Sequence, residues 1–254
     1  MSDIIPLFYD HSSQKSILTF WKESECTPES PQSIISLCKE AKLKQCVAIS
    51  KNFHTYIEAW KNCKDAEIQL IFGLEVIMCQ DSKIHTDESI KNEHKIIIFI
   101  KNSDGYKDLI KIYTKWKTTI DNKYYIFRFD FEQLKELWTD NLILAIPFFD
   151  SFIHKNTLQN AQIIPDFPTN PIILREIDTG IPYEFFLNKA LDRYNENKQF
   201  KEIKTKTIYY KNKKDVKAWQ IYRSIQDRTT FSAPKMDFCA SDTFCFESYL
   251  EIIK

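Results

Sequence analysis

Glycine is nearly absent from this sequence. The 254 residues contain only Gly73, Gly105 and Gly180. That is too few, and too widely spaced, for a GxGxxG turn or a GxxxxGK cradle, so nucleotide binding through a glycine-rich loop is excluded. An excess of either charge is missing too. Lys+Arg and Asp+Glu number 35 each, and no global field draws the chain to nucleic acid or membrane. Seven cysteines form no CxxC pair. With no signal-peptide pattern in MSDIIPLF, they read as reduced thiols in a cytoplasmic protein. The longest apolar run, IIIFI at 96–100, is too short to span a bilayer. The histidines show no HxH, HxxxH or HExxH spacing, and no glycine flanks a serine as in a GxSxG elbow.

What is present is an alternation of strand and helix periods. SPQSIISLCKEAKL (30–43) has an apolar helical face, Ser30 or Ser33 to cap it and Pro31 for its first turn. QCVAIS then reads as a buried strand, TYIEAWKNCKDA as a helix, and IQLIFGLEVIMC as a strand. DSKIHTDESIKNE reads as a surface loop before the strand KIIIFI, and SDGYKDLIKIYTKW as a helix capped by Ser103 or Asp104. FDFEQLKELWT, PYEFFLNKALDRYNE and DVKAWQIYRSIQDR read as helices; NLILAIPF, NPIILREI and TKTIYY read as strands. Residues 155–170 read as a long connection. Repeated strand-then-helix units predict one α/β domain over 1–254 with a mostly parallel sheet.

Few side chains stand out as chemistry. In FYDHSSQKS (8–16), His11 follows a strand-like start with Asp10 beside it. The pair reads either as the corner of a metal site or as a polar strand end, and alternation along a strand points the two side chains to opposite faces. Glu75, in FGLEVIM, is a carboxylate inside an apolar strand, where burial needs a partner. It reads equally as a functional group, with Gly73 nearby opening a cavity, or as half of a structural ion pair. Lys211, Lys213 and Lys214 lie near Tyr209, Tyr210 and Trp219. They read as a nucleic-acid contact or, more blandly, as a solvated approach to a helix.

The ordered series of segments resembles the PHP (polymerase and histidinol phosphatase) domain of bacterial DNA polymerase III alpha subunits. LIFGLEVIM is similar to that family's Gly-x-Glu strand, and IIIFIKNSDGYKDLIKIYTK to its strand ending in Lys-Asn before a Gly-Tyr helix. DTGIPYEFFLNKALD and KAWQIYRSIQDRTTF fit in type and order. The resemblance implies a distorted (β/α)7 barrel with His, Asp and Glu ligands at strand ends, holding divalent metals for phosphoester hydrolysis. Carried over residue by residue, the family's His-x-His-Ser falls on Tyr9-Asp10-His11-Ser12, its Thr-Asp-His on Ser50-Lys51-Asn52, and its closing Asp-x-His on Thr207-Ile208-Tyr209. Glu75 is kept. A family His falls at Lys95, with His94 one residue out of register, and a family Glu falls at Arg175.

That pattern implies a degenerate centre. His11 and Glu75 are remnants, while Lys51, Lys95 and Arg175 bring positive charge where cations would sit. No cofactor is then expected. The implied role is a structural or docking module of a replicative polymerase, partnered in cis or in trans by the palm and fingers region, touching DNA only indirectly and no membrane. The expected setting is the cytoplasm of a bacterium or a phage-infected host. The alternative is a metal-dependent phosphoesterase or 3′–5′ exonuclease with a reduced Zn or Mn site.

Overall fold

A computed structural model of the chain describes residues 4–27, 30–118, 127–228 and 241–254. Residues 119–126, the end of the segment read at 217–231, and Cys239 lie outside these residues.

The strands are β1 (Ile5–Tyr9), β2 (Leu18–Thr19), β3 (Gln32–Ser33), β4 (Gln45–Ser50), β5 (Gln69–Met78), β6 (His94–Ile100), β7 (Leu142–Ile146), β8 (Ile172–Glu176) and β9 (Glu202–Ile208). Seven of them form a closed barrel in the order β1-β4-β5-β6-β7-β8-β9, and β2 pairs with β3 outside it. β1 runs parallel to β4 and β9, and β7 parallel to β8, whereas β6 is antiparallel to both neighbours. The α/β barrel expected from the sequence is therefore present. Around it lie α1 (Ile34–Glu40), α2 (Tyr56–Asp65), α3 (Asp87–Lys91), α4 (Ser103–Thr118), α5 (Phe131–Leu137), α6 (Phe152–Leu158), α7 (Glu184–Glu196), α8 (Val216–Gln226) and α9 (Phe246–Ile253). No described helix is long and apolar enough to cross a membrane.

The caps explain several boundaries. Ser33 accepts a hydrogen bond from the Ser36 amide and starts α1. Pro31, expected inside that helix, instead precedes the short strand β3, where its fixed φ suits extended backbone. Asn102, rather than Ser103 or Asp104, caps α4 through the Gly105 amide at 2.9 Å. Asp130 and Gln133 close a reciprocal capping box on α5. The stretch read as a loop at 81–93 contains α3, capped by Thr86, and the connection read at 155–170 is entered by α6.

By internal contacts the chain forms two compact units: 1–72 with 176–184 and 204–254, and 73–175 with 185–203. In the first, one face of β1, β4 and β9 (Phe8, Cys46, Ala48, Ile208) packs on Ile34, Leu37 and Cys38 of α1, Ala59 and Cys63 of α2, and Phe246 and Tyr249 of α9. Burying each large side chain contributes about 1.5–3 kcal/mol. In the second, α4 packs on β6, β7 and α5, with Leu109, Ile112 and Trp116 buried. Gly73 serves this unit by close approach: a Cβ there would lie 2.6 Å from the Phe99 ring and 2.9 Å from Ile97 Cγ2. Packed side chains, not the cavity expected beside Glu75, fill that space.

Candidate active site

Strand alternation decides which side chains share a face. In the first unit, Phe8, Ala48 and Ile208 face the helices, so Leu7, Tyr9, Val47, Ile49, Thr205, Thr207 and Tyr209 face the other way. On that inner face the Tyr9 and Tyr209 rings lie 5.2 Å apart, and Tyr209 stacks on Trp219 at 5.2 Å. The Lys15 ammonium sits 5.0 Å over the Tyr9 ring, and the Trp219 Nε1–H donates to the Lys15 carbonyl at 2.7 Å. Lys15 is buried although lysine is a surface residue by habit.

Asp10 and His11 part company just past the end of β1, where the chain turns and strand alternation no longer applies. The Asp10 carboxylate is buried and accepts hydrogen bonds from Ser12 Oγ at 2.9 Å and from Thr55 Oγ1, which ties the end of β1 to the entrance of α2. His11 is exposed in a short 3-10 turn, its ring 6.3 Å from Trp21 and its carbonyl accepting from the Tyr222 hydroxyl at 3.3 Å. Asn52 Nδ2 donates to the Ser12 carbonyl at 3.3 Å, and Lys51 is half-buried in the bend after β4.

Glu176 is the acid that the sequence reading missed. It is fully enclosed, accepting from Thr207 N at 2.5 Å, Thr207 Oγ1 at 2.7 Å and Thr205 Oγ1 at 3.3 Å. Burial pushes its carboxyl up to about 7, only partly offset by those bonds and by Lys206. Lys206 is itself buried, which lowers its ammonium, and its Nζ donates to the Asp178 carbonyl at 2.6 Å and the Ile177 carbonyl at 3.3 Å. IILREI alone does not say which of its two charged residues faces inward; the strand register does. Ile172 pairs with Ala145, so Ile172, Leu174 and Glu176 share one face of β8 and Arg175 takes the other. Arg175 is accordingly directed at α7 rather than into a pocket. It donates to Asn188 Oδ1 at 2.9 Å and pairs with Asp192 at 2.5 Å and Glu202 at 2.8 Å.

In the second unit, Glu75 opposes Ile97 and Lys95 opposes Ile77, so the two charged residues are diagonal neighbours on one face of the β5–β6 ladder. Glu75 is 3% exposed, and the Lys95 ammonium lies 3.6 Å from Glu75 Oε1 and pairs with Asp150. The Lys95 amide also donates to the Asp150 carbonyl at 2.8 Å. His94, one residue back, opposes Met78 on the other face, between Phe131 and Phe152. Burial depresses its imidazole to about 4, so the ring is neutral at pH 7.

The three lysines read as a nucleic-acid contact behave unequally. Lys213 pairs with Glu251 at 2.6 Å, Lys211 with Glu40 at 3.4 Å, and Lys214 is exposed. The aromatic rings grouped with them offer no stacking platform, because Tyr209, Tyr210 and Trp219 are buried. Among the described residues, no three His, Cys, Asp or Glu side chains are grouped so as to hold a metal ion.

A protein-family model described as the PHP domain matches residues 24–170, more than half of the chain. No curated protein matches it.

Proposed function

The chain belongs to the PHP domain family, and we propose that within this phosphoesterase-type fold its metal centre has given way to charges carried by the chain itself. The carrying observation is Lys95. Its ammonium lies against the buried Glu75 carboxylate and Asp150, at the position where the resemblance puts a metal-binding His. A hydrolytic metal site needs several anionic or imidazole donors around one cation. Here the retained carboxylate, Glu75, already faces a fixed cation, which opposes a second positive charge beside it.

The first unit supports the same reading. Tyr9 stands where the family has His and carries the Lys15 ammonium over its ring. Thr207 stands where the family has Asp and donates to Glu176 instead of offering a carboxylate. The donors present do not suit a divalent ion, and we derive no step through one.

The role that remains is architectural. The ordered likeness of the segments to the amino-terminal module of polymerase III alpha subunits supports a docking function in replication, with the palm and fingers region as partner. In this reading residues 1–254 act as one PHP-like domain. Two experiments test it. After exposure to Zn, Mn or Fe and desalting, elemental analysis should find no stoichiometric metal, and phosphomonoester and 3′-ended DNA substrates should remain intact. Stoichiometric metal with hydrolysis would establish the phosphoesterase or exonuclease reading instead. Mixed with a palm-and-fingers fragment of the cognate polymerase, the chain should co-elute; separate elution refutes the docking role.

A further inference from the structure

The first unit holds a cleft of about 660 Å³ between the β2–β3 pair and the segment leading into α8. None of its lining residues is a position at which the PHP family places a ligand. Its apolar lining side chains are Ile17 and Pro31, with Ala218 of α8; Leu18 also borders it but is fully buried in the core. The wall formed by the segment leading into α8 carries Lys211 and Lys214. The volume lies within the range of small-molecule sites.

The charges in the cleft are unequal in availability. Asp215, its one lining carboxylate, is turned back on its own turn, where Oδ2 accepts from the Asn212 amide at 3.0 Å and from Asn212 Nδ2 at 2.9 Å. Those bonds offset part of its negative charge. Among the described residues Lys211 pairs with a half-exposed Glu40 at 3.4 Å, a contact of little strength in water. Lys214 is exposed and belongs to no ion pair among the described residues. Lys213, the lysine locked to Glu251, does not line the cleft. The N-terminal end of α8 adds its partial positive charge at the same wall.

From this arrangement we propose that the cleft binds a small organic phosphate monoester of nucleotide size. Its phosphate would lie at Lys211 and Lys214 and its organic body against Ile17, Pro31 and Ala218. Two ammonium groups on flexible stems suit a tetrahedral dianion, which any approach direction satisfies, better than a planar carboxylate that favours a guanidinium fork. The proposal is independent of the fate of the metal centre.

The test is calorimetric titration of the full chain with adenosine monophosphate, inorganic phosphate and adenosine at low salt. The monophosphate should bind saturably, inorganic phosphate more weakly, and adenosine more weakly than the monophosphate. Lys214→Ala should weaken monophosphate binding about tenfold, equivalent to ~1.4 kcal/mol, and Lys213→Ala should leave it unchanged. A thermal melt confirms that each variant is folded, as expected for exposed or rim lysines. No saturable binding by about 10 mM, binding indifferent to Lys214→Ala, or adenosine as tight as its monophosphate would each overturn the proposal.

Discussion

Protonation of His94 should make a destabilising contribution as the pH is lowered, and a single substitution should remove that part of the effect. The imidazole is 1% exposed, packed 5.8 Å from the Phe131 ring and 6.3 Å from Phe152. Neither nitrogen makes a regular hydrogen bond, and a weak pull from the Asn92 backbone does not offset burial. The Lys155 charge lowers the group further. In the unfolded chain His94 protonates near 6.5; in the folded chain it does so near 4. Above pH 6.5 the ring is neutral in both states and contributes no pH dependence. Between 6.5 and 4 the unfolded state binds the proton more readily, so stability falls as pH falls. At ~1.4 kcal/mol per pH unit the whole interval is worth about 3 kcal/mol. Urea denaturation of the wild type and of His94→Leu at pH 7, 5.5 and 4 measures it. The variant should match or exceed the wild type at pH 7, since burying two unpaired nitrogens costs free energy, and should gain on it by about 3 kcal/mol at pH 4. Parallel pH profiles for the two proteins would refute the reasoning.

Other substitutions probe separate contacts. Lys95→Met removes the ammonium that faces the buried Glu75 carboxylate and Asp150 and should cost about 3 kcal/mol in urea denaturation, most of which Lys95→Met/Glu75→Leu should restore; an unchanged midpoint in the single variant contradicts the pairing. Gly73→Ala pushes a methyl into the Phe99 ring and should destabilise by about 1–3 kcal/mol, read as a drop in melting temperature. Ser33→Ala removes the α1 cap and the bond from Ser33 Oγ to the Trp21 carbonyl at 2.6 Å, a loss of about 1–2 kcal/mol visible in the same melt.

The barrel strands and the longer helices were legible because their periods are long enough to read. IIIFI and QCVAIS are continuous apolar runs, and α4 repeats its apolar face over 16 residues. The short parallel pair β2–β3, two residues each, has no period and left no signal. α3 was lost because its five residues, DESIK, are almost all polar, and α6 because most of its seven lie in a Pro- and Asn-containing stretch that reads as a connection. At the candidate site, Lys95 was placed in the same pocket as Glu75 by the family resemblance, and the period of two along β6 then put His94, one residue out of register, on the opposite face. Arg175 and Glu176 defeated that method because the sequence alone fixed no reference for which residue of β8 faces inward. Lys15 and Lys206 were passed over because lysine is read as surface. Their burial follows from what surrounds them, the Tyr9 ring and the Ile177 and Asp178 carbonyls, which only the folded chain assembles.

The Lys95–Glu75–Asp150 contact also has a bearing on mass action. A bound ion stabilises a fold in proportion to the logarithm of its free concentration, so chelation or scarcity erodes it. An ammonium attached to the neighbouring strand has a local concentration set by the backbone and unaffected by dilution. The cation at this corner is supplied when the polypeptide is made, and its presence does not depend on which free ions the surroundings hold.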